Sequence, residues 1–190
     1  MTKRPQVQEV LPREFYEADP LKVAPGLLGS LLVHRHPTRG EIIGRIVETE
    51  AYRGEEDLAC HASAGVTTRT RVMFGPPGHA YVYLIYGMYN MLNAVTWPEG
   101  KAAAVLIRAI EPLAGIDRTT DGPGKLTLAM GIDRTLNAQD LCGQRLFICR
   151  ELEIAPNAVE TGPRIGVDYA GVWADKPWRF WIRDSRYVSR

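Results

Sequence analysis

The sequence predicts an α+β fold: a single domain, residues 1–190, with a curved, mainly antiparallel β-sheet, a few short helices and a protruding β-hairpin. Three observations carry this prediction. Short runs of β-branched and aromatic residues recur along the chain and are separated by tight turns rather than by helices. Residues 41–52 alternate with the period of a strand. Helices are few and small, with a start at Asp19-Pro20 and another short helix at Pro123 to Met130.

Taken in order, residues 1–11 are polar at their start and read as a mobile N-terminal arm without a signal-peptide core. Asp19 is a helix N-cap with Pro20 at the first helical position, and Pro25-Gly26 limits that helix to two short turns. Leu31 to Val33 opens a strand, and Pro37 to Gly40 turns it into the next, Glu41 to Tyr52. On that strand Ile46, Glu48, Glu50 and Tyr52 are assigned to one face, and Val47, Thr49 and Ala51 to the other. Two carboxylates beside a tyrosine are an unusual use of a strand face. Arg53 to Gly78 is a long loop, a feature more often functional than idle in a compact domain. Ala80 to Ile85, a Tyr86-Gly87 turn, and Met88 to Thr96 form the hairpin, followed by a strand from Ala103 to Ile110. Pro123 to Met130 with Gly131 behind it reads as a helix with a glycine stop. Short strands are expected at Phe147–Cys149, Arg164–Val167 and Arg179–Ile182.

The net charge of +1 favours no class of partner, but the charges are unevenly spread. Leu58 to Pro98 contains no Asp or Glu, and Arg69 and Arg71 lie inside it. Lys176 to Arg190 holds five basic residues against Asp184. Such acid-free stretches suit a polyanion. Three cysteines without a paired pattern fit a reducing compartment, and the protein is expected to be cytoplasmic. No apolar run reaches the roughly 20 residues of a membrane span. His34-x-His36 and Cys60-His61 match no standard metal spacing, so neither metal nor cofactor is expected. Gly122-Pro-Gly-Lys125 is too short for a nucleotide P-loop, yet a lysine at a helix N-terminus suits a phosphate.

Several longer blocks stand out: ETEAY at residues 48–52, Asp57-x-Ala59-x-His61, MFGPPGHAYVYLIYGMYNMLN at 73–93, VLIRAIEP at 105–112, GPGKL at 122–126 and PRIGV at 163–167. In composition and order they resemble the 3-methyladenine (alkyladenine) DNA glycosylases. The resemblance implies double-stranded DNA containing damaged purines as partner, a monomeric enzyme, base flipping, and hydrolysis of the N-glycosidic bond. It implies Glu50 as general base, Glu48 as a supporting residue and Arg108 as the group holding the water and the carboxylate. By the same resemblance Tyr52 and Tyr83 sandwich the base, His61 closes the cavity, Asn93 crowds the amino group of normal guanine, and Tyr86 is the intercalating wedge. Arg69, Arg71, Lys125 and Arg164 are expected on the DNA backbone.

The chemistry fits these residue types. A flipped base needs aromatic walls, the vacated stack needs a wedge, and the attacking water needs a carboxylate. No lysine lies in the ETEAY strand to form a Schiff base, so direct hydrolysis without strand cleavage is expected. Two other classes use part of the same set: a lesion-binding module without catalysis, which needs no Glu50, and a nucleoside hydrolase, which needs no Tyr86. Each residue also has an ordinary alternative. Tyrosines in strands commonly pack cores, a buried Asn commonly bonds backbone, and Arg108 has a nearby alternative partner in Glu111.

Overall fold

A computed structural model describes residues 9–189. Eight strands join in one antiparallel sheet: β1 (Leu31–His36), β2 (Gly40–Arg53), β3 (Ala80–Ile85), β4 (Tyr89–Val95), β5 (Ala103–Ala114), β6 (Leu146–Cys149), β7 (Val159–Gly162) and β8 (Arg179–Ile182). The main order is β3-β4-β5-β2-β1-β6. β2 is long enough to hold two partners along one edge: β1 against its first half, and β8 against Glu48, Thr49 and Glu50. β7 extends the β8 side. Three helices, α1 (Arg13–Tyr16), α2 (Pro20–Gly26) and α3 (Pro123–Met130), complete the expected α+β architecture.

The helices form where their caps dictate. The Asp19 carboxylate accepts from the Leu21 N–H at 2.9 Å, and α2 ends after two turns at Gly26. Gly131 closes α3 in the left-handed region (φ 67°), as a glycine stop requires. Both helices pack on one face of the sheet. Val23, Ala24 and Leu27 from the α2 side and Leu126 and Met130 from α3 join Ile42, Ile46, Ala51, Val82, Leu92, Val105 and Ile107 in the main core.

One detail of β2 differs from simple alternation. The register with β5 jumps between Ile46 and Glu48 and again between Glu48 and Thr49, leaving Val47 and Arg108 without opposite residues. This offset pair of bulges resets the phase. Ile46 therefore joins Ala51 in the core, not the face that carries Glu48 and Glu50. Thr49 takes the same core-side orientation, its Oγ1 donating to the Ala24 carbonyl at 2.9 Å.

Two further expectations are corrected. Arg164–Val167 is not a strand; the strand there is β7, just before it, and 163–167 forms an irregular loop over β2. Of the expected N-terminal arm, residues 1–8 lie outside the described residues, but residues 9–11 are not an arm. Val10 bridges Cys149, the Leu11 N–H donates to the Ile148 carbonyl at 2.9 Å, and Leu11 is buried. The apolar pair Val10-Leu11 ends the polar stretch and secures the chain there.

Candidate active site

The sheet's second face holds the site. One row of directly paired residues crosses it: Tyr81 opposite Asn93, Asn93 opposite Leu106, Leu106 opposite Glu50, and Glu50 opposite Arg179. The two-residue period puts Tyr83, Arg108 and Tyr52 in neighbouring rows on the same face. Tyr52, Tyr81, Tyr83, Asn93, Leu106 and Arg108, together with His61, Met73, Tyr86, Ile165 and Tyr169, line a cavity of about 300 Å³. Glu50 lies just behind this lining, in contact with Tyr52, Arg108 and Ile165.

Glu50 is fully buried. Its Oε1 accepts the Ile165 backbone N–H at 2.8 Å and lies 3.3 Å from Arg108 Nη1, while its Oε2 accepts the Tyr52 hydroxyl at 2.8 Å. Burial pushes its pKa above the usual carboxylate range, and Arg108, the Ile165 N–H and the Tyr52 hydroxyl pull the other way. Burying an ion costs several kcal/mol unless charge and hydrogen bonds offset it, and Arg108, the Ile165 N–H and the Tyr52 hydroxyl supply that offset. Glu48, also buried, has other partners: Arg179 Nη1 at 3.0 Å, and the N–H and Oγ of Ser189 at 2.7 and 2.9 Å. Arg108 Nε stands 3.5 Å from Glu48, so one guanidinium spans both acids. Glu111 is paired instead with Arg45.

The structure brings the rings of His61, Tyr81 and Tyr83 into contact, and Tyr52 lines the same cavity. His61 packs edge-on to Tyr83, ring centroids 4.5 Å apart, and its Nδ1 is 3.1 Å from the Tyr81 hydroxyl. Burial, with Arg69 nearby, lowers the His61 pKa to about 4, so the imidazole is neutral at physiological pH and is no general acid there. Asn93 lines the cavity and donates through Nδ2 to the Tyr81 carbonyl at 3.1 Å. The Arg69 guanidinium lies over the Tyr83 ring, 4.8 Å from its centroid.

Tyr86 is 84 % exposed at the hairpin tip. The Ile85 carbonyl accepts the Met88 N–H at 3.2 Å, with Tyr86 and Gly87 at φ 53° and 70° between them. This left-handed turn suits the twist of a tight hairpin. For glycine it is nearly free, but for tyrosine it costs about 1–2 kcal/mol. The turn thus projects a large ring into solvent at a conformational cost.

Arg164 is not a surface cation. Its side chain is fully buried and paired with Asp57 at 2.5 Å, and it also donates to the Ala51 and Trp173 carbonyls. Its guanidinium covers one face of Tyr52 at 4.8 Å. It therefore has no reach to a DNA backbone; it anchors the loop whose next residue, Ile165, donates to Glu50. Arg69 and Arg71 are exposed, whereas Lys125, also exposed, forms an ion pair with Asp121 at 3.1 Å. The basic C-terminal stretch is partly committed too: Arg179 to Glu48 and Arg183 to Glu160. Sequence reasoning passed over Asp57 as a site-building residue, Ser189, and the exposed Tyr169 at the cavity edge. The Asp57-x-Ala59-x-His61 block contained the first, but the others carry no local motif.

A family model described as methylpurine-DNA glycosylase (MPG) matches residues 14–186. The chain belongs to the methylpurine-DNA glycosylase family. Among its relatives is a Myxococcus xanthus protein, 53% identical over 182 residues, covering 95% of this chain and 93% of the relative. A Legionella pneumophila (strain Lens) protein is 54% identical over 180 residues, covering 95% and 98%. One from Methanocella arvoryzae is 52% identical over 195 residues, covering 95% and 96%. All three carry the provisional name 3-methyladenine DNA glycosylase. This methylpurine-DNA glycosylase family member is thus a DNA repair hydrolase whose substrate is DNA. Among its described residues, no group of three or more His, Cys, Asp or Glu side chains is arranged to hold a metal ion. No helix among them is long and apolar enough to cross a membrane.

Proposed function

We propose that this protein excises alkylated or deaminated purines from double-stranded DNA, acting as a monomer in the cytoplasm and leaving an abasic site. The observation that carries the reading is the buried Glu50 carboxylate, held by Arg108 at the edge of a tyrosine-lined cavity.

In this reading Tyr86 enters the base stack and takes the place of the flipped nucleotide. The extruded purine lies between Tyr52 and Tyr83, where a cationic alkylated base gains a cation–π contribution. His61 closes the cavity, and Asn93 crowds the exocyclic amino group of undamaged guanine. Arg69, Arg71 and Lys125 meet the phosphate backbone. Glu50 accepts a proton from water as the water oxygen bonds to C1′. The C1′–N bond breaks with its electron pair going to the base, so a cationic methylated purine departs neutral without a general acid.

The test is release of free base from duplexes containing 3-methyladenine, 7-methylguanine, ethenoadenine or hypoxanthine, beside the corresponding free nucleosides. Release from duplex without strand breaks is expected. Equal activity on free nucleosides makes the protein a nucleoside hydrolase instead, and lesion binding without release makes it a binding module.

A further inference from the structure

Glu48 takes no direct part in the proposed hydrolysis, yet it is as deeply buried as Glu50 and is given three donors of its own. Two of the three come from one residue far along the chain, Ser189. Its Oγ also accepts from Arg108 Nε at 3.4 Å. The hydroxyl thus stands between the second acid and the arginine that serves both.

We propose that Ser189 is a positioning residue: by occupying Glu48 and receiving Arg108 Nε, it leaves Arg108 directed at Glu50. The inference rests on Glu50 being the general base. Arg108 Nη1 is 3.3 Å from Glu50 and its Nε 3.5 Å from Glu48, so the guanidinium is shared between two carboxylates of equal burial. The balance is set by what else each acid has. Glu48 has Arg179 and Ser189; Glu50 has the Tyr52 hydroxyl and the Ile165 N–H. These, with Arg108 and each other, are the groups among the described residues that face the two acids; Arg164 and Tyr83 act on Glu50 at longer range. Removing the Ser189 hydroxyl takes one donor from Glu48 and the acceptor from Arg108 Nε. Both changes draw Arg108 toward Glu48. At an effective dielectric near 20, a retreat of about 1 Å from Glu50 is enough to raise its titration by about one pH unit.

The test compares pH–rate profiles for base release from a lesion duplex by the wild type, Ser189→Ala and Ser189→Thr. It follows in parallel the ¹³C carboxyl titration of Glu50. For Ser189→Ala the acid limb and the Glu50 midpoint both move up by about one pH unit. Release is then about tenfold slower on the acidic side and equal to wild type on the plateau. Ser189→Thr, which keeps the hydroxyl, follows the wild type. Unmoved midpoints, or a loss by the same factor at every pH, overturn the inference. The carboxyl titration separates the two readings: a wild type that releases no base refutes the proposed function, while a displaced Glu50 midpoint in Ser189→Ala still supports the positioning role.

Discussion

Removing the carboxylate of Asp57 strands a guanidinium inside the protein. The Arg164 side chain is fully buried, with two nitrogens on Asp57 at 2.5 and 2.8 Å. Breaking a buried pair by removing one partner costs about 3–5 kcal/mol, because the remaining charge is uncompensated. Asp57 also accepts the N–H groups of Arg53 and Ala59, both at 3.1 Å, and each such bond contributes about 1 kcal/mol. Asp57→Ala should therefore fall in the upper part of that range, about 4–5 kcal/mol, a large share of a typical domain's 5–15 kcal/mol. At about 2–4 °C per kcal/mol for a chain of this size, Tm drops by roughly 10–20 °C. Replacing both partners by apolar residues, Asp57→Leu with Arg164→Met, removes the orphaned charge and costs well under the sum of the two single changes. Urea unfolding at unchanged m-value measures all four corners of the cycle. Additive single effects, or an Asp57→Ala cost below about 1 kcal/mol, refute the anchoring role of this buried pair.

The remaining predictions concern the cavity and the hairpin. Because burial raises the Glu50 pKa and the base must be ionised, base release should fall with decreasing pH at a value above the ordinary carboxylate range. A pH–rate profile shows this, and His61→Asn, which replaces an already neutral ring, lowers the rate without moving that limb. Tyr86→Ser removes an exposed ring from a turn, so unfolding free energy should stay within about 0.5 kcal/mol of wild type. The same variant should lose most of its activity on lesion duplex, which an oligonucleotide base-release assay reads directly.

The elements most legible in the sequence were those fixed by local chemistry. Asp19-Pro20 and Gly131 bound helices through capping, and Tyr86-Gly87 marks the hairpin turn. Alternation put Glu48, Glu50 and Tyr52 on one face because β2 itself carries no inserted residue there: the jump between Glu48 and Thr49 lies in β5, and the pairing with β8 is continuous. It failed at Ile46, where the bulge changes phase, since a bulge depends on the partner strand and leaves no mark in β2 alone. Apolar residues suggest a strand at Arg164–Val167, but the segment is a loop whose Ile165 N–H donates to Glu50. Arg164 shows a further limit. A lone arginine in sequence reads as a surface cation, and only the fold brings it to Asp57, 107 residues away. Ser189 is similar: its two bonds to Glu48 span 141 residues.

Glu50→Gln is the substitution on which the proposed chemistry turns. The amide keeps the shape and accepts hydrogen bonds, but it cannot take a proton from water. Lesion-duplex binding and single-turnover base release, measured side by side, should show binding like wild type and release slower by about 10²–10⁴-fold. Release by Glu50→Gln at the wild-type rate contradicts the account, since the buried acid would then not be the group that activates water.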